Sequence, residues 1–197
     1  MILLVMAAGA VGGFFFLSAT GSTINIGEMA DSLISYFRRF WQTAESAVVG
    51  TVSDDAIEKA LGIVAEFEGF SAHAYPDSDG FSIGYGHFIQ PSDPWDSSSV
   101  ISESEAWDLL HQDIQASYNC VVSNVTVTLN SNQIAALTSF VYNVGCSAFK
   151  GSTLLKDVNA ANFNLAAQQF AVWNLSQGSI LDSLISRRAK EMELFNA

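Results

Sequence analysis

The hydrophobic period of this chain changes twice between Ile57 and Ile114, and that change limits the fold more than any other feature. Ile57, Leu61 and Val64 recur at helical spacing and carry the chain to Glu68. Residues 68–87, EGFSAHAYPDSDGFSIGYGH, abandon that period: Asp77 falls in a turn-rich stretch, and Ser82 opens an apolar, glycine-punctuated run of the kind that forms a small hairpin. The helical period returns in SESEAWDLLHQDIQASYNCV, where Ser102 and Glu105 have the spacing of a capping box and Trp107, Leu110 and Ile114 share a face. Further helices are predicted over Asn130–Phe140, Asn162–Trp173 and Ile180–Phe195. The expected domain is therefore α+β, a small β-hairpin or sheet lobe against a mainly helical lobe. Its ligand cleft is expected where the two lobes meet.

Glu68 and Asp77 stand nine positions apart, ahead of the glycine-rich turn and the Ser82 hydroxyl. A pair of carboxylates across a cleft is what glycoside hydrolysis requires, one protonated to help the leaving oxygen depart and one ionised to activate water or attack the sugar. Taken singly, an acid at a helix end is more often a solvated charge, and an Asp in a turn more often closes an Asx turn. The order of the surrounding residues is far more specific. Glu68-Gly69, Tyr75-Pro76-Asp77, Gly80 and Ile83-Gly84-Tyr85-Gly86-His87 are followed by SNQIAALTSFVYNVGCSAF at 131–149 and STLL at 152–155. Phe170 with Trp173, then Arg187-Arg188, Glu191 and Leu194-Phe195, complete the series. From about residue 55 to its end the chain thereby resembles the phage-type lysozymes of glycoside hydrolase family 24, an endolysin family. Three departures stand out: Ser82 replaces the usual threonine, the loop from Gly80 to that hydroxyl is one residue short, and Asp182-Ser183-Leu184 replaces Pro-Gly-Leu.

The resemblance implies a lysozyme-like fold and a peptidoglycan substrate cut at the β-1,4 link between N-acetylmuramic acid and N-acetylglucosamine. Glu68 would be the general acid, kept protonated by partial burial against apolar neighbours such as Phe67. Asp77 would stay ionised and, with Ser82, position and activate water on the opposite sugar face, the inverting arrangement. Asp79 competes with Asp77 for that role, although the Tyr75-x-Asp77 spacing favours the first. Tyr85, Asn143 and Gly145 would line the cleft, and His87 would be structural or at its margin. Arg187 and Arg188 would pair with acids of the domain, or with carboxylates of the wall peptide. Cys120 and Cys146 occupy segments that the family packs together, which implies a disulfide in an oxidising compartment, with two buried thiols as the alternative. No cofactor or metal is implied. Two other classes share the scaffold: a lytic transglycosylase, which would use Glu68 without Asp77, and a noncatalytic membrane or virion protein.

Composition enters at the N-terminus. Hydrophobic residues make up 49% of the chain and mean hydropathy is +0.26, more than a soluble enzyme normally carries. From Ile2 to Gly27 there is no charged side chain, and this run matches the roughly 20 residues that span a bilayer. One transmembrane helix over 1–27 is expected, then an amphipathic linker over 28–53, then the lysozyme-like domain over 54–197. A cleaved signal peptide would need a cationic leader that is absent from this run. Gly9, Gly12, Gly13 and Gly21 weaken the anchor, which resembles the signal-arrest-release segments of certain phage endolysins, and Gly9 and Gly13 have the spacing of helix self-association. In the linker, Leu33, Ile34, Phe37, Phe40 and Trp41 share a face beside Arg38 and Arg39. Those two cations favour a cytoplasmic C-terminal side, whereas a wall-cutting domain must face the periplasm; the internal membrane of a phage virion is the alternative location. The domain itself is expected to begin with a helix whose N-terminus is marked by Asp55 and Glu58. A net charge of −12 excludes a basic nucleic-acid surface; the expected partners are peptidoglycan, which the resemblance implies, and a lipid membrane, which the uncharged N-terminal run implies.

Overall fold

The computed structural model describes residues 52–77, 80–176 and 179–197. The expected membrane segment, nearly all of the linker and Asp79 lie outside the described residues, and no helix within them is long and apolar enough to cross a membrane.

Helix α1 spans 52–68. It is already formed three residues before Asp55, so that residue lies inside the helix rather than marking its start. The Asp55 carboxylate instead takes Lys59 Nζ at 2.5 Å, one helical turn on, and Lys59 also reaches Asn132 Oδ1 at 2.7 Å. Strands β1 (Ser71–Asp77), β2 (Gly80–Gly84) and β3 (His87–Phe88) form one antiparallel sheet in that order. Its register pairs Tyr75 with Ser82 and Asp77 with Gly80, so Asp77 closes a strand rather than lying free in a loop. The outer side of β1 is met by the returning chain, with Ile101 N–H donating to Ala72 O at 2.9 Å and Ala74 N–H to Ser99 O at 3.1 Å.

Helix α2 (Glu103–Asn124) opens with the capping box read from the sequence: Ser102 Oγ accepts from Glu105 N–H at 3.2 Å while Glu105 Oε2 accepts from Ser102 N–H at 2.8 Å. Helix α3 (Ser131–Val144) is capped in the same way by Asn130 and Gln133 and ends at Gly145, where φ is 84°. Then follow α4 (Cys146–Gly151), α5 (Thr153–Asn159), α6 (Phe163–Phe170), a two-stranded ribbon of β4 (Leu175–Ser176) and β5 (Ser179–Ile180), and α7 (Asp182–Asn196). Three expected boundaries move, the first in α3, which runs past Phe140 to Val144 because the chain turns only at Gly145. Helix α6 stops at Phe170 because Trp173 turns inward to meet the Phe140 ring edge-on at 5.3 Å. The last helix begins at Asp182 because Ser179 and Ile180 are taken up in strand pairing.

Two apolar clusters result. One joins Ala56, Ala60 and Val64 of α1 to Ile83, Tyr85, Leu110 and Ile114, beneath the sheet. The other centres on Phe140, Phe149, Phe170 and Phe195. Cys120 and Cys146 form a disulfide that ties the end of α2 to the start of α4.

Candidate active site

Glu68 lies in the last turn of α1. Gly69 ends that helix in the left-handed region, at φ 67°, with its N–H donating to Ala65 O at 3.2 Å. The acid therefore sits at a fixed exit point, its side chain 25% exposed. Its immediate partner is charged: Arg187 Nη1 donates to Glu68 Oε1. A guanidinium from α7, far along the chain, thus joins the apolar neighbours expected around this acid. The Phe67 ring stacks at 6.0 Å from the same guanidinium.

Across the sheet, Ser82 Oγ donates to Asp77 Oδ2 at 2.8 Å. Ser82 is fully buried and Asp77 exposed, so the hydroxyl orients the carboxylate from below and leaves it open to solvent. The hairpin register brings this about, since Tyr75 opposite Ser82 places Asp77 opposite Gly80 on the same face. The Tyr75 phenol is held above its usual range, first by burial and then by the charges of Glu68 and Asp77. It remains a neutral hydroxyl between the two acids.

The glycines of the Ile83–His87 motif are explained by contact as well as by turn geometry. Gly86 has φ 90°, and a Cβ there would meet Glu68 Oε2 at 3.2 Å and the Tyr142 hydroxyl oxygen at 3.3 Å. Gly84, at φ 69°, would drive a Cβ to 3.0 Å from that of Ala106 in α2. The sheet can approach the acid and the helix only where side chains are missing. Tyr142 of α3 closes this corner, its hydroxyl donating to Tyr85 O at 2.8 Å, and burial above all keeps that phenol protonated.

The sequence profile of phage lysozymes matches residues 65–191. The chain belongs to the phage lysozyme family. An endolysin of Bacillus phage PZA is 38% identical over 143 residues, which cover 71% of this chain and 54% of that protein. This chain thus spans about half the length of the Bacillus phage endolysins it matches. A SAR-endolysin of Escherichia phage Mu is 37% identical over 95 residues, 48% of this chain and 56% of that one. Among solved structures, the muramidase domain of SpmX from Asticaccaulis excentricus superposes with a TM-score of 0.64 at 32% identity, over 70% of this chain and 95% of that one.

In this phage lysozyme the remaining site residues fall in different places. Tyr85 is buried rather than cleft-lining: its ring packs at 5.1 Å from Trp107 and 5.7 Å from Phe70, and its hydroxyl donates to Glu103 Oε1 at 3.1 Å. Asn143 is exposed, its Oδ1 accepting from Arg188 Nη2 at 2.8 Å. Gly145 is exposed at the end of α3, with open space where a Cβ would stand. His87 sits between two carboxylates, Nδ1 at 2.8 Å from Asp113 and Nε2 at 3.2 Å from Asp93. The Asp113 hydrogen bond is the main reason its pKa is raised, with burial opposing. It fastens β3 to α2.

The site also contains a charge chain in which the two arginines find the acidic partners expected of them, Glu68 and Glu191, the second buried with them. Glu191 Oε1 accepts from Ser139 Oγ at 2.8 Å and Arg187 Nε at 3.3 Å, and its Oε2 lies 3.1 Å from Arg188 Nε. Arg187 Nη2 donates to Ser139 O at 3.3 Å. Burial pulls the Arg188 guanidinium down to about 10, with Glu191 opposing, and burial likewise pushes the Glu191 carboxyl up against both arginines. The signal available in the sequence was the spacing of Glu191 three and four residues after the two arginines, which puts all three on adjoining helix positions.

Proposed function

We propose that this domain is a muramidase that hydrolyses the β-1,4 bond from N-acetylmuramic acid to N-acetylglucosamine in peptidoglycan. The observation that carries the reading is the Ser82–Asp77 hydrogen bond at 2.8 Å on the sheet face, paired with Glu68 at the helix exit. Glu68 donates its proton to the glycosidic oxygen as the bond to the anomeric carbon breaks. Arg187 occupies Oε1, so the transferable proton belongs on Oε2, the oxygen against Gly86. Asp77, aimed by Ser82, takes a proton from the water that attacks the opposite face, and the anomeric configuration inverts. Asp79 lies outside the described residues, and Asp77 is assigned as the base on its bond to Ser82.

The uncharged run from Ile2 to Gly27 would hold the protein in a membrane by a single span, with residues 54–197 facing the periplasm and the wall. The likeness to a SAR-endolysin supports that export. Pairing of these helices through Gly9 and Gly13 belongs to the same proposal.

The test is to incubate the full chain and its Glu68→Gln and Asp77→Ala variants with purified peptidoglycan and identify the released muropeptides by mass spectrometry. Reducing-end products that require both acids are expected. Anhydro products, with Asp77→Ala still active, would make it a transglycosylase, and no release by the unmodified chain would leave a noncatalytic scaffold.

A further inference from the structure

We propose that Glu191 is a positioning residue for the general acid, acting through Arg187. The inference rests on the muramidase assignment of Glu68 and extends it into the core. Arg187 is shared between two carboxylates: its Nη1 donates to Glu68 Oε1 and its Nε to Glu191 Oε1 at 3.3 Å. Its third anchor is the Ser139 carbonyl, at 3.3 Å from Nη2. With Nε and Nη2 both held, the guanidinium plane is fixed, and its remaining edge is presented to Glu68 in one orientation.

The neighbours of Glu191 also define its state. Its Oε1 accepts from the Ser139 hydroxyl and from Arg187 Nε, and its Oε2 is ion-paired with Arg188 Nε at 3.1 Å without a hydrogen bond. Two guanidinium groups in contact with this fully buried carboxyl favour its anion, and burial opposes them. Glu68, Arg187, Glu191 and Arg188 then alternate in sign and balance. Arg188 is steadied in turn by the Phe140 ring, 4.9 Å from its guanidinium carbon, and by Asn143 Oδ1.

The alternation has a direct consequence for catalysis. A general acid needs an orienting donor on one oxygen, yet a full positive charge beside it would oppose protonation of the other. Glu191 divides the charge of Arg187, leaving Glu68 a fixed hydrogen bond with a weakened pull. Other groups that act on Glu68 are Tyr75 from β1, Tyr142 from α3 and the more distant Arg188 from α7. Both tyrosines are neutral, so Glu191 is the one anion in contact with Arg187 besides Glu68 among the described residues.

The experiment compares the pH dependence of peptidoglycan cleavage by the full chain and by Glu191→Gln. The alkaline limb of the rate profile is expected to move to lower pH by about one unit, with kcat lower and KM unchanged because Glu191 touches no sugar. An unmoved limb in the folded variant overturns the proposal and leaves Glu191 a structural residue. If Glu191→Gln does not fold, Arg188→Met combined with Glu191→Met removes both buried charges together, a change that cores tolerate, and a shift to lower pH is again required, smaller because the cation of Arg188 is lost as well. Failure of the unmodified chain to cleave, or full activity in Glu68→Gln, would instead overturn the muramidase assignment itself.

Discussion

The two halves of the site are built in opposite ways. On the sheet side, Asp77 is exposed and accepts a hydrogen bond from a residue five positions away. On the helix side, Glu68 is held by an arginine 119 positions away, which is itself locked in a fully buried charge chain. The first arrangement forms as soon as the hairpin closes. The second exists only when α1, α3 and α7 have packed together. A base that must hold a mobile water works from a solvated position, whereas an acid that must keep and release one proton needs a fixed, water-poor setting.

Substitutions can break this contrast at either end. The largest effect is expected for Glu68→Gln, which removes the transferable proton and should lower kcat by about a thousandfold without loss of substrate binding, measured as dye release from labelled peptidoglycan. Next is Glu191→Leu, which strands Arg187 and Arg188 without their buried counter-ion; denaturant titration should show a loss of about 3–5 kcal/mol. Cys120→Ser opens the 26-residue loop closed by the disulfide and should cost about 3.5 kcal/mol by the same titration, with the hairpin contacts intact. On the sheet side the effects are smaller. Ser82→Ala removes a single hydrogen bond and should reduce kcat by about tenfold with little change in Tm.

The smallest effect depends on pH. The His87 pKa is raised by Asp113 and Asp93, so its contribution to stability is fully present below the unfolded value of about 6.5 and is lost as pH rises through the raised folded value. The Tm difference between the unmodified chain and His87→Gln should therefore be larger at pH 5 than at pH 9. Equal differences at both would show that the imidazole does not fasten the sheet by charge.

The same division by range explains what could be read in the sequence. The capping box of Ser102 and Glu105, the hairpin around Ser82 and the helical stripe leading to Glu68 are all local patterns, and each forms as read. Tyr85 was assigned to the cleft, yet the positive φ of the glycines on either side turns the chain so that its ring enters the core. Helix α6 was drawn too long because Trp173 keeps the helical period while its ring belongs to the packing of Phe140. The sequence suggested acidic partners for Arg187 and Arg188 without naming them. Glu191 stands within one helical turn of both arginines, whereas choosing Glu68 requires the relative placement of α1 and α7, which no local spacing encodes.

Helix α3 bears on how the molecule comes apart. Ala135, with Ile134 and Tyr142 packed beside its cluster, faces the interior under the sheet, and Ala136, Leu137, Phe140 and Val141 face the cluster of phenylalanines. One rigid rod is thus shared by both interiors and turns a different face to each, so that loosening one removes support from the other. The two clusters are accordingly expected to open as a single cooperative unit, with proton exchange at the amides of α3 reporting the global opening of the domain.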